Sequence, residues 1–122
     1  MEGVAFSLKD TLTIFSELGI QVALIRIGGG GAKSTLWQQI QADVFDQEIE
    51  ILQTEQGASL GAAILAATAA RMWPTVNDAA DAVVKISKRI KPNRSASLNL
   101  ARSYASFRKI YKATKSISIL DC

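Results

Sequence analysis

The sequence is organised around one stretch, LIRIGGGGAKSTLWQQIQAD, which spans residues 24–43. An apolar run from Val22 to Ile27 predicts a buried strand, and it stops abruptly at four glycines, Gly28 to Gly31. The segment that follows places apolar side chains on one helical face, namely Leu36, Trp37, Ile40 and Val44. The predicted order is therefore strand, glycine turn, helix.

This order of elements suits an anionic ligand, usually a phosphate. Glycines permit positive φ and let a ligand approach the backbone with no Cβ in the way. The first amides of a helix have no intrahelical partner and carry the positive end of the helix dipole.

Two named phosphate motifs nevertheless fit poorly. A Walker A loop would need glycine at Ile27 and Ala32, and a dinucleotide fingerprint begun at Gly28 would need its third glycine at Lys33. From the local pattern alone, the glycines serve either a ligand or only a tight turn.

Two further elements accompany the glycine turn. An N-terminal helix carries an apolar stripe, and Gly19 stands where such a helix should end; the stripe is Val4, Leu8, Leu12, Phe15 and Leu18. Ile49 and Ile51 alternate with Glu48 and Glu50, which predicts a short strand with one solvated face. Because a helix connects it to the first strand, the two strands are expected to pair in parallel.

The C-terminal half is predicted to be helical. An Ala- and Gly-rich helix runs from Gly57 to Trp73 and is ended by Pro74. Asn77 or Asp78 caps a second helix, whose apolar positions are Ala79, Val83, Ile86 and Ile90. A final helix starts at about Ser97 and carries Leu100, Tyr104, Phe107 and Tyr111, which we expect to pack against the domain. Residues 116–122 are expected to fray.

Composition favours a soluble cytoplasmic chain. There is no histidine, which removes the commonest general base and metal ligand. The single cysteine, Cys122, permits no internal disulfide and fits a reducing compartment. No signal peptide pattern is visible, and the longest uncharged apolar stretch, residues 57–70, falls short of the roughly 18 residues that span a membrane.

The charge is unevenly distributed. Basic residues recur from Lys85 to Lys115 with no acidic residue before Asp121. Such an arm fits nucleic acid or an anionic membrane, but no helix-turn-helix or RNA-binding signature accompanies it, so we expect neither partner. The alternative is a solvated surface that faces the rest of a larger enzyme.

The segment GGGAKSTLWQQIQADVF resembles a signature of the FGGY carbohydrate kinases, and most closely that of the members that phosphorylate pentuloses such as D-xylulose. The resemblance continues upstream through EGVAF at residues 2–6, and downstream through EQGASLGAA at residues 55–63. It implies an α/β fold: part of an actin-like ATPase (ribonuclease H-like) domain, with short parallel strands flanked by helices and a helical C-terminus. Residues 1–122 would be the C-terminal part of the second, nucleotide-side domain, and the sugar-binding and catalytic domain would lie outside this chain.

The resemblance also implies residue roles. Gly30, Gly31 and Ala32 match the loop that lies against the phosphates and ribose of ATP, and Thr35 falls near the nucleotide. Lys33 either reaches a phosphate or is simply solvated, and Ser34 is a suitable N-cap for the helix. Among the polar positions of the signature, Gln39, Asp43 and Glu55 either contact the base or hold the loop in place. The catalytic Asp of the family lies outside this chain, so no catalytic residue and no metal ligand are assigned here.

The function implied is transfer of the γ-phosphate of ATP to a pentulose, with Mg²⁺, in which this chain contributes only the ATP-binding loop. The chain alone is predicted to be inactive. The alternative is a stand-alone basic interaction module with a purely structural glycine turn. Because the first strand would lose its neighbours from the missing part, we expect the isolated chain to form a dimer or a swapped assembly.

Overall fold

The computed structural model describes residues 1–53 and 57–118, which form five α-helices and a small sheet. A 3₁₀ helix, Gly30–Lys33, follows the first strand. The helices and strands are α1 (Glu2–Glu17), β1 (Ile25–Ile27), α2 (Thr35–Phe45), β2 (Ile49–Leu52), α3 (Gly57–Ala69), α4 (Val76–Val83), β3 (Ile86–Ile90) and α5 (Arg94–Ser118).

The sheet has the strand order β1-β2-β3, so β1 and β3 are its edges. The predicted parallel pairing of β1 with β2 is confirmed, with Ile25 opposite Ile49 and Ile27 opposite Ile51. The prediction that the second C-terminal helix continues to Ile90 is wrong. That helix, α4, ends at Val83, and residues 86–90 form β3, antiparallel to β2.

The helix α1 ends as the sequence predicts, but it buries a different face. Gly19 has φ +76°, and the amide of Ile20 bonds to the carbonyl of Phe15 at 2.9 Å, as in a glycine-terminated helix. The predicted apolar stripe is largely exposed, with Val4 at 61% and Leu18 at 68% exposure. The buried positions of α1 are instead the adjacent residues, Ala5 and Phe6.

The core lies where α1, α2 and α5 meet the sheet. Phe6 packs against two rings of α5, Tyr104 and Phe107, with ring centroids 5.7 and 5.4 Å away. These two rings therefore serve packing, as predicted. The same core holds buried side chains of α2 and β2, namely Ala42, Val44, Phe45, Ile49 and Ile51.

Polar side chains fasten α1 to both α5 and α2 beside these rings. The hydroxyl of Tyr104 bonds to Asp10 at 2.5 Å, and Lys9 donates to the carbonyl of Val44 at the end of α2. Burial lowers the pKa of Lys9, and burial together with the bond to Asp10 raises the pKa of Tyr104.

Three helix boundaries in the C-terminal half differ from those predicted. The helix α3 ends at Ala69, well before Pro74, and Arg71 follows it with φ +61°. The N-cap of α4 is Thr75, whose hydroxyl accepts from the amide of Asp78. Asn93 caps α5 in the same manner by accepting from the amides of residues 95 and 96, so α5 begins at Arg94. Within residues 1–53 and 57–118, no helix is long and apolar enough to cross a bilayer.

Candidate functional site

The glycine turn is the segment that leads from β1 to α2. Gly29 has φ +80° and ψ −177°, and its carbonyl accepts from the amide of Ala32 at 3.0 Å. This bond starts the 3₁₀ helix, whose first two residues are Gly30 and Gly31, and this short helical turn leads from the glycines into α2. The predicted order is confirmed with one addition: strand, glycine turn, 3₁₀ helix, helix.

The helix α2 begins just after this turn. Ser34 is the N-cap, as predicted, and its hydroxyl accepts from the amide of Trp37 at 3.3 Å. The helix is 11 residues long, and its first amides carry the positive end of its dipole. The arrangement has the donors and the electrostatic sign that an anionic group requires.

A buried glutamine that the sequence did not single out fixes the turn to α2. The side-chain amide of Gln38 donates to the carbonyl of Ala32, and Gln38 is only 2% exposed. Because Gln38 stands between Trp37 and Gln39 in an amphipathic helix, no sequence signal distinguished it from a solvated polar residue. The bond makes the turn and the first part of α2 one unit.

The four glycines of the turn do not have the same structural need to be glycine. The backbone of Gly29 lies in a region that L-residues rarely adopt, and a Cβ on Gly28 would lie 3.1 Å from Cδ1 of Leu52. A Cβ on Gly30 would have no heavy atom within 4 Å, and one on Gly31 would make only ordinary contact with Trp37 at 3.6 Å. The fold therefore accounts for two of these glycines and leaves Gly30 and Gly31 unexplained.

A shallow cavity of about 280 Å³ opens beside Gly31. Its walls are almost entirely apolar, and they come from the start of α1, the 3₁₀ helix and the start of α2: Met1, Val4, Gly31, Ser34 and Trp37. An apolar cavity next to a helix N-terminus can receive a ligand that combines a flat apolar part with an anionic part.

The structure brings the predicted binding residues together on one short segment. Gly30, Gly31, Lys33 and Thr35 are exposed there, whereas Ala32 is 9% exposed and packs in the core. The methyl group of Ala32 thus anchors the turn in the core. Any contact of this residue with a ligand would be made by its backbone.

Gln39 and Asp43 hold a neighbouring turn of the chain. Gln39 Nε2 lies 2.8 Å from Oδ1 of Asp43 and 3.0 Å from the carbonyl oxygen of Lys91. Asp43 also accepts from the backbone amide of Asn93 at 2.7 Å. The sequence left two roles open for Gln39 and Asp43, contact with the base or holding the chain in place. Their contacts in the structure are those of residues that hold the chain in place. Glu55, the third candidate, lies outside the described residues.

Part of the basic arm is paired with acids from elsewhere in the chain. Arg89 bonds to Glu50 at 2.8 Å and lies 3.8 Å from Glu48, and Arg108 lies 3.7 Å from Asp10. These pairs use cations that a nucleic-acid-binding surface would need, which weakens the alternative of a basic interaction module. Among residues 1–53 and 57–118, no three His, Cys, Asp or Glu side chains are grouped as metal ligands would be.

Comparison with known proteins gives consistent matches. Residues 1–70 match the model of the C-terminal domain of the FGGY family of carbohydrate kinases. The chain is 36% identical over 118 residues to a xylulose kinase of Staphylococcus epidermidis, covering 97% of this chain and 24% of that protein. It is also 32% identical over 85 residues to a glycerol kinase of Vibrio atlanticus, covering 69% of this chain and 17% of that protein.

The fold is shared with solved structures. The crystal structure of xylulose kinase from Rhodospirillum rubrum superposes with a TM-score of 0.77 at 24% identity, over 95% of this chain and 24% of that one. The predicted fold class, part of an actin-like ATPase domain, is confirmed. The chain spans about a quarter of the length of the curated relatives that it matches.

Proposed function

The chain belongs to the FGGY family of carbohydrate kinases, and from this premise we propose that it is the nucleotide-binding part of an ATP-dependent sugar kinase. The complete enzyme would transfer the γ-phosphate of ATP to a pentulose such as D-xylulose. This chain would supply the wall of the cleft that holds ATP, as the C-terminal part of the second domain. A cytoplasmic location accords with such a metabolic kinase.

The observation that carries the proposal is the excess of glycine in the turn. The backbone conformation requires glycine at Gly29, and Leu52 crowds the position of Gly28, but a Cβ would fit at Gly30 and Gly31. Glycine loses more conformational entropy on folding than any other residue, so two glycines that the fold does not require beside a helix N-terminus call for another reason. Close approach of a ligand to the backbone is that reason.

The geometry suggests how ATP would lie. The phosphates would face the exposed backbone of Gly30 and Gly31 and the N-terminus of α2, with the cation of Lys33 and the hydroxyl of Thr35 on the same segment. The apolar cavity beside Trp37 would take the adenine ring. Bound Mg·ATP supplies the phosphoryl group, and the protein contributes position and charge stabilisation. Mg²⁺ would arrive bound to the phosphates of the nucleotide.

Surface features support the proposal that further protein covers this chain. The exposed stripe of α1 and the edge strand β1 enclose an apolar groove of about 380 Å³, to which Leu8, Leu12 and Ile27 contribute. A sheet edge beside an apolar groove is a surface that soluble proteins normally cover. The sugar site and the catalytic Asp would belong to that remaining part.

The test is an NMR titration of the ¹⁵N-labelled chain with Mg·ATP, followed at the amides of residues 28–35. We expect saturable shifts confined to this segment and to the neighbourhood of Trp37. Gly30→Ala should weaken binding about tenfold, since its methyl group occupies the space through which the phosphates approach. The matched control is Gly3→Ala in α1, where the new Cβ makes ordinary contact with Phe107 at 3.8 Å and binding should be unchanged.

A well-dispersed spectrum with no response to Mg·ATP would contradict the proposed nucleotide site. Equal affinity of the wild type and Gly30→Ala would contradict the proposed reason for the glycines. We also expect the purified chain to phosphorylate no sugar, so turnover of D-xylulose that survives controls for host kinase would refute the assignment of catalysis to the missing part.

A further inference from the structure

A buried carboxylate at the centre of the sheet joins all three strands. Glu50 on β2 has a side chain that is 5% exposed, and it lies opposite Arg26 on β1 and Arg89 on β3. Nε of Arg26 lies 3.0 Å from Oε2 of Glu50, while Nη2 of Arg89 lies 2.8 Å from Oε1. We refer to these three residues as the arginine–glutamate triad.

The triad corrects one sequence prediction. Glu50 was expected on the solvated face of β2, yet it is as buried as its neighbour Ile51, each being 4% exposed. The reason is that cations from both adjacent strands cover and neutralise the carboxylate. Their hydrogen bonds, that from Arg26 first and that from Arg89 second, hold the pKa of Glu50 below its usual value, so the group is ionised at neutral pH.

The position of Arg26 links the triad to the glycine turn. The strand β1 is only three residues long and pairs with β2 alone, and Gly28 follows it directly. So short an edge strand has few backbone bonds with which to fix its direction. Arg26 is the central residue of β1, and its side-chain bond to Glu50 fixes the strand just before the glycine turn begins. Beyond it, Leu52 of β2 packs against Gly28.

We propose that Arg26 and Glu50 are positioning residues for the nucleotide loop: their ion pair holds β1 at the angle that aims the glycine turn at the ligand. The inference rests on the proposed function for its ligand, but the mechanical part concerns the free chain. Arg89 anchors the far side of the same carboxylate. It stabilises the sheet without any direct connection to the turn.

The experiment compares the same substitution at both ends of the triad. Arg26→Gln removes the cation from β1, and Arg89→Gln removes it from β3, so each leaves Glu50 with one arginine. Both side chains are substantially exposed, at 46% and 64%, so both variants are expected to fold. The first readout is the set of backbone ¹⁵N order parameters of the free chain, and the second is the dissociation constant of Mg·ATP.

We expect Arg26→Gln to lower the order parameters of residues 27–31 from about 0.85 to about 0.6, while those of α1 and α5 stay unchanged. The dissociation constant of Mg·ATP should rise about tenfold, because the loop is no longer preorganised. Arg89→Gln should alter neither quantity by a comparable amount. Arg26→Lys, which keeps a cation, should restore part of the order.

The inference would be overturned if the order parameters of residues 27–31 fell equally in both arginine variants, or fell in neither. The ion pair of Arg26 with Glu50 would then act on the whole sheet, or would not affect the turn at all. If the wild-type chain binds no Mg·ATP, the proposed function fails, and the order parameters still decide the mechanical part. If binding is normal in the wild type and in Arg26→Gln, the inference fails and the proposed function stands.

Discussion

Oδ1 of Asp43 lies 2.7 Å from the backbone nitrogen of Asn93, fifty residues further along the chain, and this hydrogen bond ties α2 to the start of α5. The same oxygen accepts from Gln39, whose side chain also bonds to the carbonyl of Lys91. Asp43 is 7% exposed. The resemblance left Asp43 either in contact with the base or in a holding role, and these bonds give it a structural role that requires no ligand.

Replacing this carboxylate should cost stability. Asp43→Ala removes the charged acceptor of the amide of Asn93, and we expect the free energy of unfolding to fall by about 2 kcal/mol. Chemical denaturation measures the loss, and Asp81→Ala on the exposed surface of α4 is the control, expected to change stability by less than about 0.5 kcal/mol. A variant of unchanged stability but weakened Mg·ATP binding would instead assign Asp43 to the ligand.

The glycines of the turn should separate into two classes. Gly29→Ala forces a side chain into a strained backbone region, and we expect the free energy of unfolding to fall by about 1–3 kcal/mol. Gly30→Ala meets no atom within 4 Å and should change stability by no more than about 0.5 kcal/mol. Thermal or denaturant unfolding distinguishes them, and equal losses would mean that the turn needs both glycines.

Acid should weaken the fold through Glu50. The pKa of this carboxyl group is lowered in the folded chain from an ordinary value of 4.5, chiefly by the hydrogen bond from Arg26. A lowered pKa stabilises the fold fully above 4.5, and this contribution is lost as pH falls through the folded value.

The variant Glu50→Gln isolates this effect. The difference in unfolding free energy between wild type and Glu50→Gln should therefore shrink as the pH falls below 4.5 and through the lowered pKa of the folded chain, as measured by denaturation at each pH. A wild-type advantage that grew on acidification would contradict the assignment.

The isolated chain is expected to self-associate. The strand β1 is an edge of the described sheet, and an apolar groove lies beside it. We expect the isolated chain to form a dimer or a swapped assembly at high concentration, because exposed edges pair with other chains. Sedimentation measures this directly, and a monomer over the whole accessible concentration range would contradict it.

The sequence predicted best what local chemistry determines. Gly19 ends α1 and Ser34 caps α2 because a left-handed backbone and a short hydroxyl side chain act within one turn of the helix. The parallel pairing of β1 and β2 also followed, since a connecting helix allows little else. The fold family was predicted from the resemblance of longer segments to the FGGY carbohydrate kinases.

The errors came from contacts between distant residues. Ile86 and Ile90 fit a helical spacing and a strand alternation equally well, and only pairing with β2 decides for a strand. The stripe through Val4 is apolar, but Ala5 and Phe6 are buried because α2 and the rings of α5 cover them. Glu50 looked solvated because its two arginines lie 24 and 39 residues away.

The packing of α5 on α1 also determines when this chain can fold during synthesis. Tyr104 and Phe107, which pack against Phe6, are translated about a hundred residues after it. At roughly 10 residues per second, the ring of Phe6 stays uncovered for about ten seconds. The core around Phe6 therefore closes only after residue 107 has been translated, and until then this part of the chain exposes apolar surface.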